Sequence, residues 1–520
     1  MEKKKCLIPF FRSGDIGGLT YSLAGNIVNY IIVIVALSGF GWPDDLIYGY
    51  VIPGMSIGLM VSGLYYAFMA YRLSKKEQRA DVTALPSGVS TPAMFVFLYG
   101  VIMPLQYAIK DPYAVWGAAM AATLIGGFIE FLGGLIGPFV KRALPRAALL
   151  GTVAAIGFIW MATQGLFDVF GDPLLGMPIL LIALLGLFGG YMFPGKIPPL
   201  VIAIVGGIVY AILLGRVTPD FSGVGFYFPN PVNTLQSMIN GFVTIVPYLA
   251  IVIPVEIYNF IETMDNVAAA NVAGDNYSVR EAQFADGICT MISSVFGGVI
   301  PNTVWLGHPG LKKQKAGMAY SWMGGIILGL AGILGLFKFI NSIIPAAICA
   351  ITFLWCAIVM VVQAYRENTP KHYAAVVVAM IPAVADYLYS QITGTAGLAN
   401  LFTEIQANGL NTFSADVNQQ ILNAGVMWNG VAELHAGAIV TGLIWGSATA
   451  FIIDKRLDKT AIVFGVAAIL AFFGFINCSA ISIYPTSPFF WSYVILAALC
   501  FILNFGKNKW FKSPDDFDYV

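Results

Sequence analysis

Two acids and an amide interrupt an apolar stretch near residues 242–270, where they could bind a solute or an ion. Glu262, Asp265 and Asn266 are spaced so that they share one face of a helix, and Asn259 extends that face by another turn. A carboxyl group at the centre of a membrane helix costs about 2.5–3.5 kcal/mol, so an acid retained there is expected to face a polar cavity. The sequence therefore predicts substrate binding by Glu262, Asp265 and Asn266, and ion coupling through the two acids.

Proline and glycine break two other apolar stretches, one at Pro86–Pro92 and the other at Pro301–Gly310. Neither segment can continue a helix, and unpaired backbone is tolerated at membrane depth only where it is buried in protein or lines a cavity. Helices that restart after such breaks favour negative charge at their N-termini. The predicted substrate contacts in these segments are Ser87, Gly88, Val89, Ser90, Asn302, Thr303, Val304 and His308.

The two breaks occupy corresponding positions in the two halves of the chain. Pro86 and Pro301 stand nearly as far apart as Pro145 and Pro345, each of which opens an apolar stretch that later carries a Trp. This indicates a duplicated unit of seven spans, and because seven is odd the second copy is inverted. Inverted repeats with matching broken spans point to the binding site of a secondary transporter.

The predicted fold is thus an all-α polytopic membrane protein with two inverted repeats of seven spans, of which the third and the tenth are the two broken spans. The first repeat covers residues 1–216 and the second covers 217–455. Residues 456–520 add a two-span hairpin, near 460–482 and 487–505, and a cytoplasmic tail. The longest gap between spans, about 393–434, could hold a small extracellular cap.

Basic residues fix the orientation. All but three of the 27 Lys and Arg residues fall in alternate gaps between the apolar stretches, the exceptions being Lys110, Arg216 and Lys338. Cytoplasmic loops retain positive charge, so both termini are predicted in the cytoplasm and the protein in the inner (plasma) membrane. The chain is 58% hydrophobic and 10% charged, against about 25% charged for soluble domains.

Composition also limits the partners. The net charge is zero and the six cysteines have no metal or redox spacing, so neither nucleic acid, metal nor cofactor is predicted. The expected partners are a small-molecule substrate and the lipid bilayer, with H⁺ or Na⁺ as the coupling ion.

Several titratable residues admit two interpretations. His308 is the one histidine within a predicted span, and pairing with the acids of 242–270 would suit proton coupling, while a packing role is the alternative. For Glu130 and Asp386, a hydrogen bond between helices is an explanation at least as good as a functional role. Asp286 is assigned a capping or interfacial role, and Glu256 is rotated away from Asp265.

The residues 15–455 resemble the xanthine/uracil permeases, also called nucleobase–cation symporters or nucleobase–ascorbate transporters. The stretch Phe260–Val267 is similar to a motif of the purine branch, and Glu262 stands where that family has its substrate-binding acid. Ala285–Gly287 and Pro301–Thr303 match the starts of two further spans, and Ala84–Gly88 and Gly127–Glu130 are similar to the purine branch.

The resemblance implies fourteen spans arranged as a core domain, residues 15–140 and 242–337, that moves against a gate domain, residues 147–216 and 343–455. It also implies short extended segments in the two broken spans, spans 3 and 10. A homodimer through the gate domain is possible on this basis. Substrate would lie between the broken spans and the span that carries Glu262, with Asn26 and Tyr30 of the first span as a further wall. The family's second acid falls on Gly307 here, next to His308.

These observations predict a secondary active transporter, not an enzyme, of a nucleobase-like solute, with a purine favoured. The alternative is a transporter of the same architecture for a small anion such as sulfate, bicarbonate or an organic acid. A channel or a membrane enzyme would need a continuous polar pore lining or a metal or nucleophile constellation, and the sequence contains neither.

Overall fold

The computed structural model describes residues 7–191, 202–395, 427–478 and 482–506. Within them the chain is helical apart from one two-stranded sheet. This confirms the predicted all-α fold class with short extended pieces in the two broken spans. The predicted extracellular cap and cytoplasmic tail lie largely outside the described residues.

The elements are labelled here in chain order. The first half contains α1 Gly14–Gly39, α2 Asp44–Glu77, β1 Ser87–Val89, α3 (Thr91–Phe95, a π-helical segment Val96–Ile102 and Met103–Ile109), α4 Pro112–Ala143, α5 Arg146–Gly171, α6 Pro173–Leu187, α7 Ile202–Leu213 and α8 Pro231–Ile245. The second half contains α9 Leu249–Val272, α10 Val279–Val295, β2 Asn302–Val304, α11 His308–Lys313, α12 Ala319–Ile333, α13 Leu336–Ile343, α14 Ala346–Arg366, α15 Tyr373–Thr395, α16 Trp428–His435, α17 Ala438–Ile453, α18 Leu457–Phe472 and α19 Pro488–Gly506.

Six helices of the described residues are long and apolar enough to cross a membrane, and up to nine spans result if each sharply bent pair is one span. The bent pairs are α8 with α9, α12 with α13, and α16 with α17. Pro247 lies at the first bend, and Gly335 and Gly437 have left-handed φ angles of 66° and 70° at the other two. Proline and left-handed glycine both end helices, which explains the bends. The count of fourteen spans plus two stays a prediction.

Contacts divide the chain into two compact units. The first comprises Met1–Pro138, Gly165–Ile245 and Val255–Phe353, and the second comprises Phe139–Gln164, Val246–Pro254 and Leu354–Val520. Every residue predicted to bind substrate belongs to the first unit. The repeat, core and gate boundaries remain predictions.

β1 and β2, which belong to the two broken spans, pair with each other as antiparallel strands. Ser87 lies opposite Val304, Gly88 opposite Thr303, and Val89 opposite Asn302. The ladder extends by one bond at each end, because the Ser90 amide donates to the Pro301 carbonyl at 2.9 Å and the Trp305 amide donates to the Pro86 carbonyl at 2.8 Å. Strand pairing thus satisfies backbone groups that proline and glycine exclude from a helix.

Side chains occupy the outer edge of β1. The Asn26 Oδ1 accepts from the Val89 amide at 3.2 Å, and the Asn26 Nδ2 donates to the Ser87 carbonyl at 3.4 Å. The Val89 carbonyl also accepts from Asn29 at 3.2 Å and from the Trp305 indole at 3.0 Å. The amides of α1 therefore act as a neighbouring strand would.

The outer edge of β2 is occupied in the same way from α9 and α10. The Asn302 amide donates to Thr290 Oγ1 at 3.0 Å. Its carbonyl accepts from Asn259 Nδ2 at 3.1 Å, and the Val304 carbonyl accepts from Asn266 Nδ2 at 2.7 Å. Neither strand presents an open edge, although the sheet has only two strands.

Glycine permits the closest approaches around the sheet. A Cβ on Gly88 would lie 2.3 Å from the Trp305 ring and 2.4 Å from Asn26 Oδ1, so no other residue fits there. Between α2 and α12, a Cβ on Gly63 would lie 3.0 Å from the Gly325 Cα. Glycine lets the Trp305 and Asn26 side chains lie against the β1 backbone at Gly88, and it lets the α2 and α12 backbones pack directly at Gly63.

In the second unit, α18 and α19 form the predicted C-terminal hairpin. Phe464 and Tyr493, both buried, face each other across it with ring centroids 6.3 Å apart. The Tyr493 hydroxyl donates to Asn477 Oδ1 at 2.9 Å. The Oδ1 of Asp386 lies 3.7 Å from the His435 Nδ1 of α16, a distance longer than the hydrogen bond between helices expected for this acid.

Candidate functional site

The polar face of α9 lies against β2. Asn259 and Asn266, seven residues apart, hold the Asn302 and Val304 carbonyls as described above. Thr263 lies between them, and its Oγ1 is 3.0 Å from Thr303 Oγ1 and 3.4 Å from the Val304 amide. The helical face predicted from the sequence is therefore the one that meets the broken span, but Thr263 was not among the predicted residues.

Glu262 and Asp265 lie beside this line of contacts, and both are half-buried. The Oε2 of Glu262 is buried and has no hydrogen-bond partner among the described residues. An unmet buried carboxylate oxygen is costly, so Glu262 is suited to accept a hydrogen bond from a ligand or to hold a proton.

The predicted strand residues are fully or nearly fully buried. Ser87 Oγ is 3.0 Å from Ser62 Oγ, so that hydroxyl is occupied within the protein. Ser90 Oγ and Asn302 Nδ2 have no partner in the part of the chain that the structure describes. Both belong to the end of the sheet at which α3 begins, whose Thr91 follows Ser90 directly. Donor groups are thus available at this end.

The two residues predicted on α1 differ in what they contact. The amide of Asn26 is committed to the β1 backbone, so it positions the strand. Tyr30 is fully buried and stacks on Phe337 with ring centroids 4.5 Å apart. The ring of Tyr30 therefore contributes to the packing of α1 against α13.

His308 faces a different carboxylate from the one the sequence suggested. Its Nε2 is 3.1 Å from Asp275 Oδ2 and 3.1 Å from the Thr83 carbonyl, and the side chain is 1% exposed. Asp275 lies in the loop between α9 and α10, not on the polar face of α9. The expected pairing of His308 with the acids of that face is replaced by this contact.

Asp275 is the centre of a charged cluster. Its Oδ1 accepts from Arg79 at 2.7 Å and from Lys312 at 2.5 Å, and the Thr83 amide donates to its Oδ2 at 3.1 Å. Burial raises the pKa of this carboxyl, but hydrogen bonds from His308, Lys312 and Arg79 outweigh it and hold the pKa at about 2. We call Asp275, Arg79, His308 and Lys312 the Asp275 cluster. It connects the segment before β1 to α11, which follows β2.

Three acids that the sequence analysis left out of the site lie together behind β2. Glu130 of α4, Glu256 of α9 and Asp286 of α10 are all fully buried. Thr263 and Asn259 link them, and both of these residues also contact β2. We call Glu130, Glu256 and Asp286 the three-carboxyl cluster. Their individual spacing gave no sign of it, since the acids come from three helices.

No protein-family model matches the chain, and no curated protein matches its sequence. Among solved structures, it is similar to the transmembrane domain of a cyanobacterium bicarbonate transporter, BicA, with a TM-score of 0.49 and 17% identity over 73% of this chain and 97% of that one. It is also similar to SLC26A9, with a TM-score of 0.42 and 14% identity over 72% of this chain and 65% of that one. At this level of likeness the function is argued from the chain's own residues.

Proposed function

We propose that the protein is a secondary active transporter of a small polar solute, which binds beside the two-stranded sheet formed by β1 and β2. The observation that carries this proposal is the buried sheet built from two broken spans. Such breaks are costly in a membrane and are characteristic of transporter binding sites. A half-buried acid, Glu262, lies on α9, the helix that packs against β2.

Donor groups at one end of the sheet favour a small anion as the solute. Ser90 Oγ and Asn302 Nδ2 are buried there without a partner among the described residues. The same end holds the N-terminus of α3, where backbone amides and the helix dipole favour negative charge. An anion supplies acceptors to all of these groups at once.

A nucleobase is the second candidate, and Glu262 favours it. The Oε2 of Glu262 lacks a partner in the described structure, and it could accept a hydrogen bond from a ring N–H. A base also carries carbonyl acceptors for Ser90 and Asn302. The two candidates therefore differ in whether Glu262 or the donor end dominates recognition.

The test is uptake by the purified full chain in proteoliposomes, with labelled bicarbonate, sulfate and formate compared with hypoxanthine, xanthine and uracil under an imposed pH or Na⁺ gradient. Anion uptake is expected, and Asn302→Asp should weaken it about tenfold or more, because an acceptor replaces a donor at a buried site. Asn240→Asp is the matched control, since Asn240 is exposed and accepts a hydrogen bond from Gln236 that an aspartate can also accept.

Uptake of purines alone, with a larger loss in Glu262→Gln than in Asn302→Asp, would assign the nucleobase candidate. A chain that accumulates none of these solutes under either gradient would contradict the transporter proposal itself for both classes.

A further inference from the structure

The three-carboxyl cluster has the composition of an ion site. Glu130, Glu256 and Asp286 each have an exposed fraction of 0%. They come from α4, α9 and α10, so burying them together requires three helices to converge on one polar point. Taking even one carboxylate out of water costs several kcal/mol unless the charge is met.

Two uncharged side chains connect the acids. The Thr263 hydroxyl lies 3.1 Å from Glu130 Oε1 and 2.9 Å from Asp286 Oδ2. The Asn259 amide nitrogen lies 3.4 Å from Glu130 Oε2 and 3.5 Å from Glu256 Oε2. All three carboxyl groups are therefore joined in one hydrogen-bonding network.

This network has more acceptors than hydrogens. Thr263 has one hydroxyl hydrogen, yet the carboxyl groups of Glu130 and Asp286 both lie within reach of it, while Thr303 can donate to Thr263 in its turn. Asn259 has two amide hydrogens, and one of the contacts within its reach is the Asn302 carbonyl. The Oε1 of Glu256, the Oδ1 of Asp286 and the Oδ1 of Asn259 are buried with no partner among the described residues.

Among the residues that the structure describes, no positive charge lies against the three acids. In residues 7–191, 202–395, 427–478 and 482–506, no Lys, Arg or His forms a salt bridge with any of the three. The other titratable groups around them are Tyr66 of α2, Cys289 of α10 and Glu262 of α9, none of which is cationic. Within the same residues, no group of acids, histidines and cysteines has the arrangement of a metal site.

We infer that the three-carboxyl cluster binds protons and is the coupling site of the transporter, an inference that rests on the proposed function. A proton on a carboxyl group removes its charge and supplies the missing donor in one step. The coupling path is short: Thr263 contacts Thr303 and the Val304 amide, and Asn259 contacts the Asn302 carbonyl. Loss of a proton would make neighbouring carboxylates repel and would alter the contacts that hold β2.

Gly126 on α4 provides the space for this site. A Cβ at this position would lie 2.4 Å from the Cδ and Oε1 of Glu256. The neighbouring helix thus leaves room for the Glu256 carboxyl group, which a single methyl would displace. The packing of α4 against α9 therefore accommodates the Glu256 carboxyl group specifically because residue 126 is glycine.

The direct test is infrared spectroscopy of the purified full chain in lipid at neutral pH, because a protonated carboxyl group has its own carbonyl stretch. Wild-type protein should show this band, and Glu130→Gln, Glu256→Gln and Asp286→Asn should each change it, with at least one removing a protonated carboxyl. Glu281→Gln is the matched control on α10, since Glu281 is ion-paired with Arg72 and should not contribute. Thr263→Val, which keeps all three acids, should shift the band without removing it.

Absence of the band, or a band that all three cluster variants leave unchanged, would overturn the inference. A band that disappears when NaCl is added would also overturn it, because Na⁺ would then occupy the site. The transport readout separates the two proposals. Cluster variants should lose accumulation driven by a pH gradient but retain exchange of labelled for unlabelled solute. If the cluster is protonated but the chain moves no solute, proton binding by the cluster is supported and the proposal of a transporter is contradicted.

Discussion

The Asp275 cluster and the three-carboxyl cluster both bury carboxyl groups in the first unit. Cationic side chains surround the acid of the first cluster, and uncharged side chains contact the acids of the second. Asp275 accepts hydrogen bonds from Arg79 and Lys312, and His308 lies 3.1 Å away. In the three-carboxyl cluster the partners are a hydroxyl and an amide. A buried acid surrounded by cations is a fixed structural charge, whereas buried acids without cations are suited to exchange protons.

The largest effect on stability is expected for Asp275→Asn. The substitution leaves the charges of Arg79 and Lys312 without their shared partner. Breaking a buried ion pair costs about 3–5 kcal/mol, and because Arg79 and Lys312 are partly exposed we expect the lower end of that range. The free energy of unfolding, measured by chemical denaturation in micelles, checks this.

The control is Glu281→Gln, which breaks the more exposed ion pair with Arg72 and should cost less than about 1 kcal/mol. Equal losses for the two variants would mean that burial does not distinguish the Asp275 cluster from a surface pair.

Acid should remove part of the same stabilisation. The folded pKa of Asp275 is about 2, below its ordinary value of 3.8, so its contribution is complete above about pH 4 and is lost as the pH falls through 2. The difference in unfolding free energy between wild type and Asp275→Asn should therefore narrow by about 2 kcal/mol across this window. A difference that does not vary with pH would show that Asp275 is not held ionised by its partners.

Asp286→Asn should behave differently from Asp275→Asn. If the three-carboxyl cluster is protonated, an amide replaces a neutral acid of the same shape, and the unfolding free energy should change by less than about 1 kcal/mol. A loss as large as that of Asp275→Asn would indicate that Asp286 is ionised in the folded protein, and the contrast between the two clusters would disappear.

The smallest change in stability is expected for Glu262→Gln, within about 0.5 kcal/mol, because the residue is half-buried and a hydrogen-bonding group is kept. This variant tests whether Glu262 or the three-carboxyl cluster couples proton movement to solute uptake. With coupling in the three-carboxyl cluster, Glu262→Gln should still accumulate solute in a pH gradient, although its affinity for a nucleobase would fall. Loss of accumulation with intact exchange would move the coupling role to Glu262.

The sequence was sufficient for the broken spans, because proline and glycine exclude a helix there whatever surrounds them. It also predicted the face of α9 that meets β2, since Asn259 and Asn266 follow the helical period. It could not predict the register of β1 with β2, which depends on side chains of α1 and α10. Nor could it find the partner of His308, which lies in a loop beyond the end of α9.

The sequence also could not predict the three-carboxyl cluster, because its acids are far apart along the chain. Glu130 contacts Thr263 across 133 residues of sequence, so each carboxyl group looked solitary within its own apolar helix. A threonine in such a helix commonly bonds to its own backbone, and Thr263 therefore carried no signal. Only the packing of α4, α9 and α10 reveals that these residues share one site.

The closed edges of the small sheet have a mechanical consequence. A shift of β1 past β2 by one residue would break the ladder and would also detach Asn26 and Asn266 from their carbonyls at the same moment. One register therefore satisfies the ladder and the side-chain contacts together, so α1 and α9 hold the two strands in that register. A change of position near the sheet is therefore accommodated by the side chains and helix segments around it more easily than by a new pairing of β1 with β2.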